Sequence, residues 1–188
     1  LDAWDVLLTA MVMRLRQLFR DDSLPFLNVQ LPMWIAAGDE DKHDWARLRL
    51  AQARAASALQ PGGLAILLDC GEFDNIHPTD KRTPGERLCD VALRVVYGMD
   101  APESPRALGK YTQGDTLVVM LSAPVLRRET GELLLEIAGE DGAYHPVQSV
   151  TLDGTEMRLR SVAVLHPAKV RYAYVNWGKV ALFGRNGL

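Results

Sequence analysis

The chain has 188 residues, of which 48% are hydrophobic and 24% charged, a composition typical of a folded domain with its own core. Its formal net charge is -3 and no basic stripe runs along it, which argues against a nucleic-acid or anionic-membrane partner. No apolar run approaches the roughly 18 residues that a membrane-spanning helix needs.

The first half of the chain alternates between helical and strand-like segments. Apolar residues recur at helical spacing near the start and predict a helix with one buried stripe, formed by Trp4, Leu7, Leu8, Met11, Leu15, Leu18 and Phe19. A capping box at Thr83 and Glu86 predicts the start of the last helix. The predicted order is helix, strand, helix, strand and helix, at residues 4–19, 25–31, 41–59, 64–70 and 83–95. Such alternation indicates parallel strands wrapped by helices, and two strands are too few for a complete sheet.

The pattern changes at about Pro102, where short strand-like segments begin. Turn signals such as Asp141-Gly142 and Asp153-Gly154 separate them, which is typical of an antiparallel β unit. The predicted strands are at residues 116–122, 133–138, 147–152, 156–162 and 170–175. We therefore expect an incomplete α/β layer in residues 1–101 and an antiparallel β region packed on it in residues 102–188.

The strongest chemical signal is the loop Gly71-Glu72-Phe73-Asp74-Asn75-Ile76-His77-Pro78, which directly follows the second predicted strand. Ligands of open α/β sheets bind beyond the carboxyl ends of the strands. Asp74 and His77 are three residues apart, so the carboxylate can hold one ring nitrogen and leave the other free as a base. Pro78 restricts the backbone of the histidine to extended conformations. The loop therefore predicts His77 as a general base and Asp74 as its orienting partner.

Spacing alone leaves other interpretations of this region open. Asp and His are common in polar loops that have no catalytic role. Asp74, His77 and Asp80 also offer metal-ligand atoms, although the other three histidines are scattered along the chain and complete no site. Gln30, near the end of the first predicted strand, is expected either to contact a substrate or to make a structural hydrogen bond.

The two cysteines, Cys70 and Cys89, form no CxxC or metal-binding spacing. We expect two small buried thiols, because free cysteine is among the most buried residue types. A disulfide between them is the alternative if the protein is exported.

Seven segments of the chain share a pattern, in the same order, with a known enzyme family. They are Leu24–Leu31, Trp45–Gln52, the block from Gly71 to Leu88 with Ile76-His77-Pro78 at its centre, Tyr97-Gly98, Ile137–Asp141, Val170–Tyr174 and Asn186–Leu188. In these segments the chain resembles the C-terminal part of the sialate O-acetylesterases, a branch of the SGNH hydrolases. The resemblance spans nearly the whole chain.

The resemblance implies an α/β fold, with an incomplete flavodoxin-like SGNH layer of parallel strands and helices followed by a small antiparallel β region. It implies removal of O-acetyl groups from sialic acids or related glycans by a serine-hydrolase mechanism, without a cofactor or metal. His77 matches the family histidine, and Asp74 matches the Asp-x-x-His spacing of SGNH enzymes. Many sialate esterases have an Asp where this chain has Asn75, so the third triad member stays open.

The family's Gly-x-Ser nucleophile motif and its Gly-Glu-Ser-Asn stretch do not occur in this sequence, and none of its serines stands next to a glycine. We therefore expect the nucleophile to come from an N-terminal segment outside the 188 residues, and the chain alone to be inactive. The expected partners are that segment and an acetylated sugar substrate, with no nucleic acid and no membrane. Family resemblance favours a secreted or periplasmic location over a cytoplasmic one.

Two rival functions follow from the same residues. The first is an esterase of the same fold that acts on acetylated xylan or another carbohydrate, since substrate choice lies in pocket loops. The second is a non-catalytic carbohydrate-binding or interaction module, in which the loop around His77 has no chemical role.

Overall fold

The computed structural model describes residues 3–188 and divides the chain into two compact units. Unit 1 comprises the residues up to Glu103 together with Val175–Trp177, and unit 2 comprises Ser104–Tyr174 and Gly178–Leu188. From the sequence we predicted a single boundary between the two parts, after residue 101. The three residues 175–177 carry no pattern that would assign them to the first unit. Among residues 3–188, no helix is both long enough and apolar enough to cross a membrane.

Unit 1 is a small α/β layer in which helices flank a pair of parallel strands. Its elements are α1 (Trp4–Phe19), β1 (Phe26–Val29), α2 (Asp44–Ala58), β2 (Gly62–Ala65) and α3 (Arg82–Val95). β1 and β2 run parallel, with Phe26 opposite Gly62 and Val29 opposite Ala65. Both α2 and α3 contact both strands. The predicted α/β layer of parallel strands and helices is confirmed.

Unit 2 consists of antiparallel sheets, as predicted. Its strands are β3 (Ala107–Gln113), β4 (Thr116–Leu121), β5 (Val125–Arg127), β6 (Leu135–Ala138), β7 (His145–Pro146), β8 (Ser149–Asp153), β9 (Glu156–Arg160), β10 (Lys169–Tyr172) and β11 (Leu182–Gly184). They form sheets in the orders β3-β4-β9-β8, β10-β6-β7 and β11-β5. Alternate apolar residues of the strands, together with Val164 from a connecting segment, fill one core, made of Leu117, Val119, Leu135, Ile137, Met157, Leu159 and Val164.

The predicted buried stripe of α1 is wrong. The side chains of Leu7, Met11 and Leu18 are 67%, 48% and 62% exposed. Burial follows a neighbouring line through Val12 and Arg16 instead, because α1 packs on α2 along that line. Helical periodicity identifies an apolar face, but the neighbours in the fold decide which part of that face is covered.

The second strand ends earlier than predicted. β2 stops at Ala65, whereas the apolar run continues to Cys70. The backbone beyond the strand is held by side chains, because Arg87 Nη1 donates to the carbonyl of Ile66 at 2.7 Å and the Leu67 N–H donates to Gln30 Oε1 at 3.1 Å. These bonds satisfy buried backbone groups without a third strand.

The cysteines do not form the predicted pair of buried thiols. Both are free, Cys70 is partly buried and Cys89 is exposed. Burial, with the charge of Asp69 acting in the same direction, raises the pKa of the Cys70 thiol to about 12. Cys70 is therefore a protonated packing residue at neutral pH.

Candidate active site

The two parallel strands of unit 1 end at the same edge of their sheet, and a loop leaves each of them there. We name residues 30–43 the β1 loop and residues 66–81 the β2 loop. Gln30 begins the β1 loop and is 7% exposed. Its N–H donates to the Ala65 carbonyl at 2.9 Å, and its side-chain oxygen accepts from Leu67. Of the two roles expected for Gln30, the structure therefore shows the structural hydrogen bond.

Backbone contacts hold the two loops against each other. A Cβ atom on Gly71 would lie 1.9 Å from the carbonyl oxygen of Met33, so only glycine permits this approach. The Asp74 N–H donates to the carbonyl of Ile35 at 3.1 Å, and the Asp74 carboxylate accepts from the N–H of Ala37 at 2.7 Å. Asp74 has a φ of 58°, in the left-handed region that aspartate and asparagine tolerate. The β1 loop and the β2 loop are therefore joined by close packing and by hydrogen bonds.

Glu72 closes the segment around His77 into a compact turn. One carboxylate oxygen accepts from both the N–H and the hydroxyl of Thr79 at 2.6 Å, and the other accepts from Asn75 Nδ2 at 2.7 Å. The side chain of Asn75 in turn accepts from the N–H of His77 at 3.0 Å. Hydrogen bonds from Thr79, followed by those from Asn75, hold the pKa of the Glu72 carboxyl below its usual value. The backbone of His77 is therefore fixed by side chains of its own loop.

The structure places His77 and Asp74 in the same exposed loop but does not join them. Among residues 3–188, no hydrogen bond connects the Asp74 carboxylate to the His77 ring, and the hydrogen bond that the carboxylate accepts comes from the Ala37 N–H. The imidazole is exposed and takes part in no hydrogen bond to another described residue. The catalytic roles of both residues stay predictions.

The alternative metal site does not assemble. Asp80 accepts hydrogen bonds from the N–H groups of Arg82 at 2.9 Å and Thr83 at 3.1 Å. Asp80 therefore caps the start of α3, in place of the predicted cap at Thr83. Within the described part of the chain, no three His, Cys, Asp or Glu side chains are grouped to hold a metal ion.

An ion pair anchors the base of the β2 loop to α3. Arg87 makes two hydrogen bonds to the Asp69 carboxylate, at 2.6 and 2.8 Å, and its side chain is 11% exposed. Burial by itself would raise the pKa of Asp69, but the hydrogen bonds and charge of Arg87 outweigh it and hold that pKa below its usual value. The bidentate geometry fixes the loop against the helix.

The role of residues 175–177 in unit 1 is not visible in the sequence pattern. Asn176 Oδ1 accepts from the N–H of Trp45 at 2.9 Å, and the Asn176 N–H donates to Asp41 Oδ2 at 2.7 Å. Its carbonyl accepts from the Trp34 N–H at 2.8 Å. Buried Arg49 donates to the carbonyl of Val175 at 2.6 Å. A single asparagine, more than a hundred residues from α2 in the chain, thus organises the β1 loop, and no local motif indicates this.

Aromatic rings also pair in the described part of unit 1. The rings of Phe73, in the β2 loop, and Trp177 have centroids 5.8 Å apart and are tilted by 60°. Trp34 and Trp45 form a second tilted pair at 5.3 Å. Both distances are typical of favourable aromatic contacts. Phe73 belongs to the same loop as His77, so the β2 loop carries both an aromatic ring and the candidate base.

The fold of the chain has a counterpart among solved structures. A carbohydrate acetylesterase from Xanthomonas citri, known from its crystal structure, matches the chain with a TM-score of 0.87 and 32% sequence identity. The match covers 98% of this chain and 44% of that chain, so the chain spans less than half the length of the enzyme it resembles. No family model and no curated protein matches the sequence. The chain thus has the fold of part of a carbohydrate acetylesterase.

Proposed function

We propose that residues 1–188 form the histidine-bearing part of a carbohydrate O-acetylesterase of the SGNH type, with acetylated sialic acids as its substrates. The observation that carries the proposal is the position of His77. It lies on a braced, exposed loop directly after the second of two parallel strands, where open α/β sheets bind their ligands. The similarity to the Xanthomonas acetylesterase and the family-like block from Gly71 to Leu88 point to the same chemistry.

In this proposal His77 acts on a serine that lies outside the 188 residues. The free imidazole nitrogen takes the proton of the serine hydroxyl as the oxygen attacks the acetyl carbonyl, and then passes it to the departing sugar oxygen. Water attacks the acetyl-enzyme with His77 again as base, which releases acetate and restores the serine. Oxyanion donors, typically worth about 3–4 kcal/mol each, come from the same outside part. Residues 1–188 alone are therefore inactive.

Asp74 is the candidate for orienting His77 and stabilising its charged form. One of its oxygens already holds the β1 loop through Ala37, and the second is the one to receive the ring N–H. Asn75 braces the His77 backbone and carries no charge, so it is not an equivalent of the Asp that many sialate esterases have at this position.

The proposal requires a further part of the polypeptide, and the exposed apolar face of α1 is a surface on which that part can pack. Leu7, Met11 and Leu18 lie on one side of the helix, and Leu15 between them is also exposed, at 36%. The proposal assigns this face to the portion of the esterase that lies outside residues 1–188. Changing Leu7 and Leu18 to Ser in the complete polypeptide is expected to lower its thermal unfolding midpoint. The same change at Val162, which is 87% exposed in unit 2, is the control.

A second candidate function is hydrolysis of acetylated xylan or another acetylated carbohydrate. The similarity to a carbohydrate acetylesterase supports hydrolysis of acetylated carbohydrates in general, and it supports acetylated xylan as well as acetylated sialic acid. Rates of acetate release from a panel of acetylated sialosides, xylo-oligosaccharides and simple acetate esters separate the two. Faster turnover of the xylo-oligosaccharides than of the sialosides would contradict sialate specificity and favour this second function.

The decisive experiment replaces His77 by Ala in the complete polypeptide. We expect kcat for acetate release to fall by at least about a thousandfold, as for other members of catalytic triads. His166→Ala is the matched control, because His166 is also exposed and also precedes a proline. Unchanged esterase activity in the His77 variant would contradict the proposal and favour a non-catalytic binding module.

A further inference from the structure

Polar contacts of neighbouring residues hold the backbone that carries Phe73 and Trp177. Trp177 follows Asn176, whose N–H, carbonyl and side-chain oxygen are all hydrogen-bonded within unit 1. Phe73 lies between Glu72, which closes the β2 loop, and Asp74, which ties it to the β1 loop. The backbone on both sides of the ring pair is therefore fixed.

Phe73 nevertheless leaves much of its surface open to solvent. The residue is 54% exposed, and Trp177 is only partly buried. Because burial free energy scales with the area removed from water, this exposure forgoes about half of what full burial of the side chain would provide. A braced and exposed ring pair of this kind is typical of a binding surface, where apolar rings lie close to a few polar groups.

The ring pair lies within reach of the candidate base. Phe73 and His77 are four residues apart in one loop, which limits their Cα separation to at most about 14 Å. The segment between them is further compacted by the hydrogen bond from the His77 N–H to Asn75. Phe73 and the candidate base therefore lie on one short, compact segment of the β2 loop.

We propose that Phe73 and Trp177 form the sugar-stacking surface of the site and set its preference for glycan esters over simple acetate esters. This inference rests on the proposed esterase function. The ligand is an acetylated sugar whose pyranose ring presents a face of C–H groups, and those groups pack on the aromatic rings while the hydroxyl groups stay in water. The tilt of 60° lets the two rings contact different sides of one sugar or two successive sugars.

The test compares two substrates in the complete polypeptide: the acetylated oligosaccharide that is hydrolysed fastest, and ethyl acetate, which has no ring. For Phe73→Ala we expect KM for the oligosaccharide to rise about three- to tenfold with kcat nearly unchanged, since a stacking contact present throughout the reaction contributes uniform binding. Activity on ethyl acetate is expected to stay the same. Phe73→Tyr keeps the ring and is expected to keep the wild-type KM.

Trp177→Ala provides a second, independent variant, with Trp177→Phe as its conservative partner. Tyr97→Ala is the control, because Tyr97 is 70% exposed and lies outside both loops. Equal losses on both substrates, or no change on either, would overturn the stacking role of the pair. Failure of the proposed function is distinguishable, because His77→Ala would then leave ethyl acetate hydrolysis intact.

Discussion

The side-chain oxygen of Asn176 caps helix α2 from 131 residues away, accepting a hydrogen bond of 2.9 Å from the N–H of Trp45. The N–H of Ala46 donates to the same oxygen at 3.4 Å. His43, the residue in the N-cap position, makes no side-chain cap. The first turn of α2 therefore depends on a residue from a distant part of the sequence.

Asn176→Ala removes this acceptor and leaves buried N–H groups of α2 without a partner. We expect the free energy of unfolding to fall by about 1–3 kcal/mol, the usual cost of losing a cap or orphaning a buried donor. Urea titration of the variant measures the change. Asn176→Asp keeps an acceptor at the start of the helix and is expected to lose less than half as much; an equal loss would show that the cap is not the cause.

Gly71→Ala adds a Cβ atom that overlaps sterically with the backbone of Met33. Because the obstructing atom is a carbonyl oxygen at 1.9 Å, the β2 loop has to move away from the β1 loop. We expect a loss of more than about 3 kcal/mol of stability, or a folded protein with displaced loops and little activity. Gly85→Ala in α3 is the matched control.

At Gly85 a Cβ atom meets nothing within 4 Å, and the residue lies inside a helix. Alanine is the better helix former by about 1 kcal/mol, so this control is expected to be neutral or stabilising. Thermal unfolding of both variants checks the contrast. A Gly71→Ala variant as stable and active as wild type would mean that the two loops are not held by this contact.

Asp74→Asn separates the structural contact of Asp74 with the β1 loop from its proposed role in orienting His77. Asparagine tolerates the left-handed backbone and keeps an oxygen for the Ala37 N–H, so the loop contact survives while the negative charge is lost. If Asp74 orients His77, kcat for acetate release is expected to fall by roughly two to four orders of magnitude with stability unchanged. A fall of less than tenfold would restrict Asp74 to holding the loops together.

Asp69→Asn is expected to remove a pH-dependent part of the stability. Because the folded-state pKa of Asp69 lies below its usual value, the carboxylate stabilises the fold above the unfolded-state pKa, and this contribution is lost as the pH falls through the folded-state pKa. The stability difference between wild type and variant is therefore largest near neutral pH, about 1–3 kcal/mol, and shrinks toward pH 2. Urea titrations at several pH values measure it.

Glu86→Gln is the control for this titration. The Glu86 carboxylate pairs with Arg82, but both side chains are largely exposed, at 58% and 86%. Exposed pairs contribute little, so no measurable change in stability is expected at any pH. An Asp69 variant that behaves like the Glu86 variant would show that the pair with Arg87 does not anchor the β2 loop.

Local patterns predicted most of the secondary structure of this chain. The helix at Trp4–Phe19 was predicted, because the spacing of its apolar residues is regular and polar residues follow its last turn. The strands β3, β5, β7 and β11 were missed, since β3 is mostly exposed and contains Gly109, and the other three have only two or three residues each. Strands of this kind form through pairing with neighbours rather than through their own apolar periodicity.

The sequence by itself determined the alternation of helices and parallel strands, the antiparallel region that follows, and the loop in which His77 lies. Each of these depends on residues close together in the chain. The tertiary structure alone decided which side of α1 is covered, that Asn176 caps α2, and that Trp177 pairs with Phe73. Those contacts join residues far apart in the chain, and their energies depend on burial and geometry that no local spacing encodes.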